Sequence, residues 1–391
     1  MKSDAPAAAK GAADGAQQQQ LRDRFADEVV LLTGFPGFRA QAMVRVLAER
    51  EPSALLWLVV PPTELEAAAR ALAATSISSD RLRLIPGEPC AIDLGLSRQT
   101  YAELAERVEH WFALYQTTDP RASRELCFRV NLGGAREIAE LSKVAQSLAH
   151  VTFLSSSMVF GDHQGDVAEE DLALGQGFRS PAAESLALAE ALLRRKLADI
   201  PLSIVRTPPV VGARGQQACA RPAGLHRVLA LVAAAPSEVP LALPLGSSRL
   251  VQAVPADFVA EALYAVSVLG TRGHTYHFAD PEPPSLAEVL EQAAAHFGKR
   301  VEPSSGARAL GRLLLNGAGS WWSQASSGPL SEWAEGPRLV TRAGDRLLER
   351  AGLSTPSLLG YLDSVLEETE ALRQKGRLEE RHATLPFEVV A

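Results

Sequence analysis

The chain alternates short, unbroken apolar runs with longer stretches in which apolar residues recur every three or four positions. Val29–Leu32 and Leu55–Val60 are continuous runs, the pattern of strands covered on both faces. Pro61 and Pro62 stop the second run. Arg83–Pro86, His110–Leu114, Val151–Leu154 and Leu202–Val205 read as further strands, and Leu126–Val130 as an extended segment. Between them, Gln41–Arg50, Leu65–Ala74, Tyr101–Val108, Gly134–His150 and Pro181–Leu197 carry helical spacing, as at Met43, Val44 and Leu47. Strand and helix alternating at this rhythm predict an α/β fold, a doubly wound parallel sheet.

Beyond residue 210 the pattern thins. A Gly-, Arg- and Pro-rich loop spans 213–224, followed by a helix over Pro255–Val268, a strand over Thr275–Ala279 and helices over Ser285–Phe297 and 342–374. Trp321, Trp322 and Trp333 stand in a Gly- and Ser-rich stretch and read as pocket lining or as anchors of an irregular lid. The reading divides the chain into a disordered tail at 1–22, a sheet domain at 23–210 and a smaller, mostly helical substrate-side or lid region at 211–391.

Composition removes several function classes. The net charge of −7 at pH 7, with basic residues scattered, argues against nucleic acid. No run reaches the roughly 20 apolar residues of a membrane span. Cys90, Cys127 and Cys219 lie far apart without metal-ligand spacing and fit a reducing, cytoplasmic setting. His274 and His277 have a spacing that supports no metal site, and His163 reads as a surface-loop residue.

The first strand runs directly into TGFPGFRA at 33–40. Gly34 allows a tight turn and Gly37 lets a pyrophosphate approach the backbone, while the following helix offers free N–H groups to phosphates. Ala40 holds the place of a third glycine. This context predicts a Rossmann-type domain whose cofactor-binding residues are Thr33, Gly34, Phe35, Gly37 and Phe38. The second strand ends in Val59, Val60, Pro61 and Pro62, with neither an acid for the NAD ribose nor an arginine for the NADP phosphate. NAD and NADP are therefore both open, and the glycines also suit close packing without any nucleotide.

The phrases RLRLIPGEP at 81–89, RVNLGGAREIAELS at 129–142, VTFLSSSMVFGD at 151–162, VRTPPVVG at 205–212 and VPADFVAEAL at 254–263 follow in order. With the glycine turn, they resemble the extended short-chain dehydrogenase/reductase superfamily, and within it the thioester reductase and fatty-acyl reductase branch. The resemblance covers Val29 to about Arg373. It implies that Asn131 supports the active-site helix, that Ser156 or its neighbour Ser157 polarises a substrate carbonyl, and that Glu88 accepts an adenine amine. It also implies small residues where Tyr115 and Gln116 stand. Counting back from Glu190 puts Leu186 at the place of the branch's catalytic lysine and Ala182 at that of its tyrosine. None of the five tyrosines has a lysine four residues on.

A tyrosine pKa near 10 is brought toward working pH by a neighbouring lysine, which neither Ala182 nor Leu186 can replace. The leading expectation is thus a non-catalytic binding or regulatory protein on a reductase scaffold, taking an acyl or other small-molecule ligand or a protein partner, with a homodimer open. An NADP-dependent reductase of acyl thioesters or related carbonyls, with a displaced proton donor, is the alternative. An NAD(P) sensor is the second.

Overall fold

Five consecutive buried positions at Val29–Thr33 need cover on both faces, and the chain supplies it with helices on either side of one sheet. The structure, a computed structural model, describes residues 23–196, 200–212, 224–234, 241–243, 250–299, 301–303 and 337–374. The central strands are β1 (Val29–Thr33), β2 (Leu55–Val60), β3 (Leu82–Pro86), β4 (Val108–Ala113), β5 (His150–Ser156), β6 (Leu202–Thr207) and β7 (Thr275–His277). They pair in parallel throughout, in the order 3-2-1-4-5-6-7. The order reverses between β1 and β4, which places the switch point of the sheet beside the glycine turn.

The helices are α1 (Phe38–Arg50), α2 (Leu65–Ala73), α3 (Arg98–Arg107), α4 (Arg124–Cys127), α5 (Gly134–Val144), α6 (Pro181–Arg195), α7 (Gly224–Ala234), α8 (Ala256–Leu269), α9 (Leu286–His296), α10 (Arg342–Arg350) and α11 (Leu358–Gln374). Alternate strand residues go to opposite cores. Val30, Leu32, Leu56 and Leu58 meet Met43 and Leu47 of α1 and Val259 and Leu263 of α8. Val29, Leu31, Trp57 and Val59 share the other core with Leu104 of α3, Ile138 of α5 and Leu186 of α6. A third core joins α7, α9 and α11 through Leu225, Leu290 and Leu362, the helical region expected beyond the sheet.

The strands and most helices form where the apolar pattern places them. The helix read over Gly134–His150 stops at Val144, leaving His150 to open β5, and the stretch 342–374 divides into α10 and α11. Leu126–Val130, read as extended, is helical: α4 passes through a wide π-type turn at Phe128–Gly133 into α5. Ser123 sets this off by accepting the Leu126 N–H on its hydroxyl (3.2 Å). The run is apolar because one side is buried at Cys127 and Val130, and β4 already has β1 and β5 as its partners.

The sheet layer is also not exhausted at residue 210. α8 packs in the core of α1, and β7 pairs with β6, so residues 256–277 return to it. The tail at 1–22, Cys219, the loop over 213–223 and the three tryptophans lie outside the described residues.

His110, His150 and His277 are buried in this frame. His110 stacks on Phe25 at 3.9 Å between centroids, with its Nδ1 3.2 Å from Ser267 Oγ. His150 Nε2 lies 3.0 Å from Ser203 Oγ. Burial, ahead of neighbouring positive charge, holds His110 and His277 down at about 3 and His150 at about 4. The unfolded chain therefore binds protons that the folded chain refuses once pH drops below the ordinary histidine value of about 6.5. Stability present above that value is lost on acidification. Glu28, Glu51, Glu109 and Glu137 oppose this, since burial raises their pKa values. The melting temperature should fall as pH goes from 7 to 5.5; a rise over that interval would contradict the assignment.

Candidate functional site

The carboxyl edge of the sheet is where the residues singled out in the sequence converge. Gly34, directly after β1, has φ +96°, and a Cβ there would stand 2.8 Å from both the carbonyl carbon and oxygen of Leu114. Only glycine fits, because the chain leaving β1 meets the chain leaving β4 backbone to backbone. Gly37 differs: its φ of −55° suits any residue, so conformation does not explain it. Its N–H donates to the Gly34 carbonyl (2.9 Å), and no side chain caps α1, which begins at Phe38. This arrangement presents a helix start to an anion.

The opposite half of the crevice is filled. Tyr115 and Gln116 follow β4, and both are buried. The Tyr115 hydroxyl donates to the Glu88 carboxylate, and the Cys90 thiol donates to the same oxygen at 3.3 Å. The Tyr115 ring packs on Val130. Burial first, then the neighbouring acids, pushes the Cys90 thiol up to about 12 and the Tyr115 phenol well above its ordinary value, so both stay protonated donors. Glu88 follows β3 and Tyr115 follows β4, and β1 and β2 lie between those strands. The contact therefore closes over the carboxyl ends of β1 and β2, beside the glycine turn. Oriented to satisfy both partners, the Gln116 amide donates to the Leu154 carbonyl (2.8 Å) and accepts from Arg39 Nη1 (2.9 Å). Arg39 is itself buried in the first turn of α1.

Asn131 sits in the π-type turn, buried. Its Oδ1 accepts the Thr117 N–H (2.8 Å), and its Nδ2 donates to the Thr117 carbonyl and to Ser185 Oγ (both 2.9 Å). Ser185 belongs to α6 and donates to the Ala182 carbonyl at 3.1 Å. Asn131 thus ties the loop after β4 to α6 directly, through a serine that the sequence reading did not name.

The three serines after β5 divide their work. Ser155 donates to Glu190 Oε2 (2.9 Å) in the interior. Ser156 accepts the Met158 N–H (3.3 Å) and starts the turn over Ser157–Phe160. Ser157 is half-buried. On α6, which begins with Ser180 as its cap, Ala182 and Leu186 are both fully buried, and Leu186 lies in the core with Phe153.

Glu190 shares this helix and is fully buried, as is Arg206 of β6. Arg206 Nε donates to both Glu190 oxygens (3.0 and 3.1 Å), its Nη2 to the Asp171 carbonyl (2.6 Å), and its Nη1 to His277 Nε2 (2.9 Å). Because that ring nitrogen accepts, His277 is neutral and donates from Nδ1 to the Val340 carbonyl (3.0 Å). Glu169 closes the network by accepting N–H groups of His277, Ala343 and Gly344. Sequence reading placed Glu190 and set His277 aside as no metal ligand, but it missed Arg206 and Glu169. The one signal was a charged residue inside the apolar strand of VRTPPVVG.

The hydroxyls of four tyrosines are committed elsewhere: Tyr115 to Glu88, Tyr264 to Glu51, Tyr361 to the Ala253 carbonyl and Tyr276 to the Thr271 N–H. Tyr101 is half-buried on α3. Among the described residues no group of three or more His, Cys, Asp or Glu could hold a metal, and no helix is long and apolar enough to cross a membrane.

A family model described as the male sterility protein, NAD-binding, matches residues 32–263, more than half of the chain. The chain belongs to that family. It is an extended short-chain dehydrogenase/reductase, similar to thioester reductases. No curated protein matches it. The terminal R domain of a myxalamid PKS-NRPS biosynthetic pathway superposes with a TM-score of 0.72 at 21% identity, covering 95% of this chain and 99% of that one. The reductase domain of a nonribosomal peptide synthetase from Mycobacterium tuberculosis gives 0.69 at 17% identity, with 94% and 96% covered. A UDP-glucuronic acid 4-epimerase from Bacillus cereus, in complex with NAD, gives 0.62 at 16% identity, with 88% and 99% covered. At these identities the likeness is one of fold.

Proposed function

We propose that the chain is a non-catalytic member of this family, a binding or regulatory protein that keeps the reductase scaffold without its proton transfer. The observation that carries this reading is the full burial of Ala182 and Leu186 on α6, at the places where the resemblance puts a tyrosine and a lysine. A methyl and an isobutyl group packed into a core can neither give nor take a proton, and that step contributes about 10²–10⁴-fold to such reactions.

A nicotinamide dinucleotide is the cofactor that the family implies. The glycine turn and the uncapped start of α1 fit its pyrophosphate. The adenosine end does not fit: Glu88, the expected adenine acceptor, already takes the Tyr115 hydroxyl and the Cys90 thiol. Titration of the purified protein with NADPH and NADH, followed by assay with acyl thioesters and aldehydes, tests the reading. Binding is expected to be weak and turnover absent. Tyr115→Ala should open the crevice and tighten nucleotide binding. Turnover at an ordinary reductase rate, about 1–10³ per second, would overturn the proposal.

One observation favours an active NADP-dependent reductase of acyl thioesters instead. Ser156 uses its oxygen as an acceptor, which leaves its hydroxyl hydrogen for a substrate carbonyl. In that case Ser156→Ala abolishes a measurable turnover. Tight nucleotide binding without turnover, lost when Gly37 is made bulky, would mark a nucleotide sensor.

A further inference from the structure

Tyr115 and Gln116 stand between two fixed points of the loop that leaves β4. On one side the Leu114 N–H donates to the Thr33 carbonyl (3.2 Å), and the Leu114 carbonyl lies against Gly34, so this end is joined to the glycine turn. On the other side Asn131 holds both the N–H and the carbonyl of Thr117 (2.8 and 2.9 Å). With the backbone clamped at both ends, the part free to move is the Tyr115 side chain, by a change of rotamer. Its partner Glu88 is anchored as well. The Glu88 N–H donates to the Leu94 carbonyl (2.7 Å), its carbonyl accepts the Ala91 N–H (2.9 Å), and Leu94 is fully buried. The Tyr115 ring shares only a small core with Val130, Cys90 and Leu126, apart from the three large ones. Its hydroxyl bond to the Glu88 carboxylate is thus a main part of what holds the ring over the crevice. Glu88 itself is half-buried, within reach of a ligand in that crevice.

We propose that Tyr115 is an intramolecular gate on one half of the crevice: its hydroxyl and the adenosine end of a nucleotide compete for Glu88, and the ligand enters when the ring swings away. This rests on the reading that the scaffold is retained for binding. Adenosine carries an amine and ribose hydroxyls, donors that a carboxylate accepts as it accepts a phenol. The Cys90 thiol, the other donor to Glu88 at 3.3 Å, is a weak one and yields readily. The apparent affinity of the chain is then its intrinsic affinity reduced by the fraction of molecules with the gate open, so the protein responds to nucleotide only at high concentration. A ligand without adenosine, held at the glycine turn alone, lies outside the gate.

Calorimetric titration of the full chain with NADPH, AMP and inorganic pyrophosphate tests the gate. Tyr115→Phe keeps the ring and removes the hydroxyl. It should bind NADPH and AMP about tenfold tighter or more, the size expected when a competing hydrogen bond to a charged group is lost. Its response to pyrophosphate should match that of the parent chain. Adding Glu88→Ala to Tyr115→Phe should abolish the gain, because adenosine then lacks its acceptor. A hydroxyl with a purely structural role would lower the melting temperature on removal and leave nucleotide affinity unchanged or weaker. The proposal is overturned if Tyr115→Phe binds NADPH and AMP no tighter than the parent chain, or if neither chain binds either nucleotide. An equal gain for pyrophosphate also overturns it, as the mark of a general loosening of the crevice. Should Tyr115→Phe fail to fold, Tyr115→Leu decides by the same comparison. Reductase turnover by the parent chain, measured in parallel, would end the non-catalytic reading and leave the gate standing; equal affinities without turnover would do the opposite.

Discussion

Arg206→Met is expected to destabilise the protein by about 3–5 kcal/mol, the cost of stranding a buried charge. Arg206 and Glu190 are both fully buried, and removal of the guanidinium leaves Glu190 with only Ser155 Oγ (2.9 Å) and Arg194 Nε (3.1 Å). It also frees the Asp171 carbonyl and His277 Nε2. The double variant Arg206→Met with Glu190→Leu should recover much of the loss, since an apolar pair of similar volume avoids the desolvation of both ions. Urea denaturation of the two single variants and the double variant measures this directly. A single variant within about 1 kcal/mol of the parent chain would show that water or a rearranged neighbour compensates the charge.

The second large effect concerns the vacant lysine place. Leu186→Lys should not restore chemistry; it should weaken the fold by roughly 4 kcal/mol at pH 7, equivalent to a lysine pKa depressed by three units. Leu186 is fully buried in an apolar core, so an ammonium there loses its hydration without gaining a partner. The sign follows from linkage. A depressed folded-state pKa means that the unfolded chain binds the proton better, so the loss is greatest at low pH and fades as pH rises toward 10.4. Denaturation midpoints at pH 6 and pH 9.5 should therefore converge toward those of the parent chain at the higher value. A variant that folds normally at both would place residue 186 at a polar opening and would weaken the non-catalytic reading.

Sequence patterning made the sheet legible because parallel strands with helices on both faces leave continuous apolar runs, as in Val29–Thr33 and Leu55–Val60. The same rule misread Leu126–Val130, since a helix buried along one side can also concentrate its apolar residues in a short window. Ser123, the cap that resolves the ambiguity, lies just before that window. At the site, Gly34, Glu88, Tyr115 and Asn131 were each visible by type. Their arrangement was not, because Tyr115 and Glu88 are 27 residues apart and meet only once four strands are aligned. Ser185 was hidden for a plainer reason: a serine inside a helix carries no signature until its partner, Asn131, is known.

Val210–Val211 pairs in parallel with Val254–Pro255, and the Val254 N–H donates to the Pro209 carbonyl at 3.1 Å. The stretch between them leaves and rejoins the main body at neighbouring points, as a detour with a shared exit and entrance. Chain added to or removed from such a detour changes the entropy of closing it only slowly with length. Residues 212–253 can therefore vary in length over evolution with no strand of the seven having to shift.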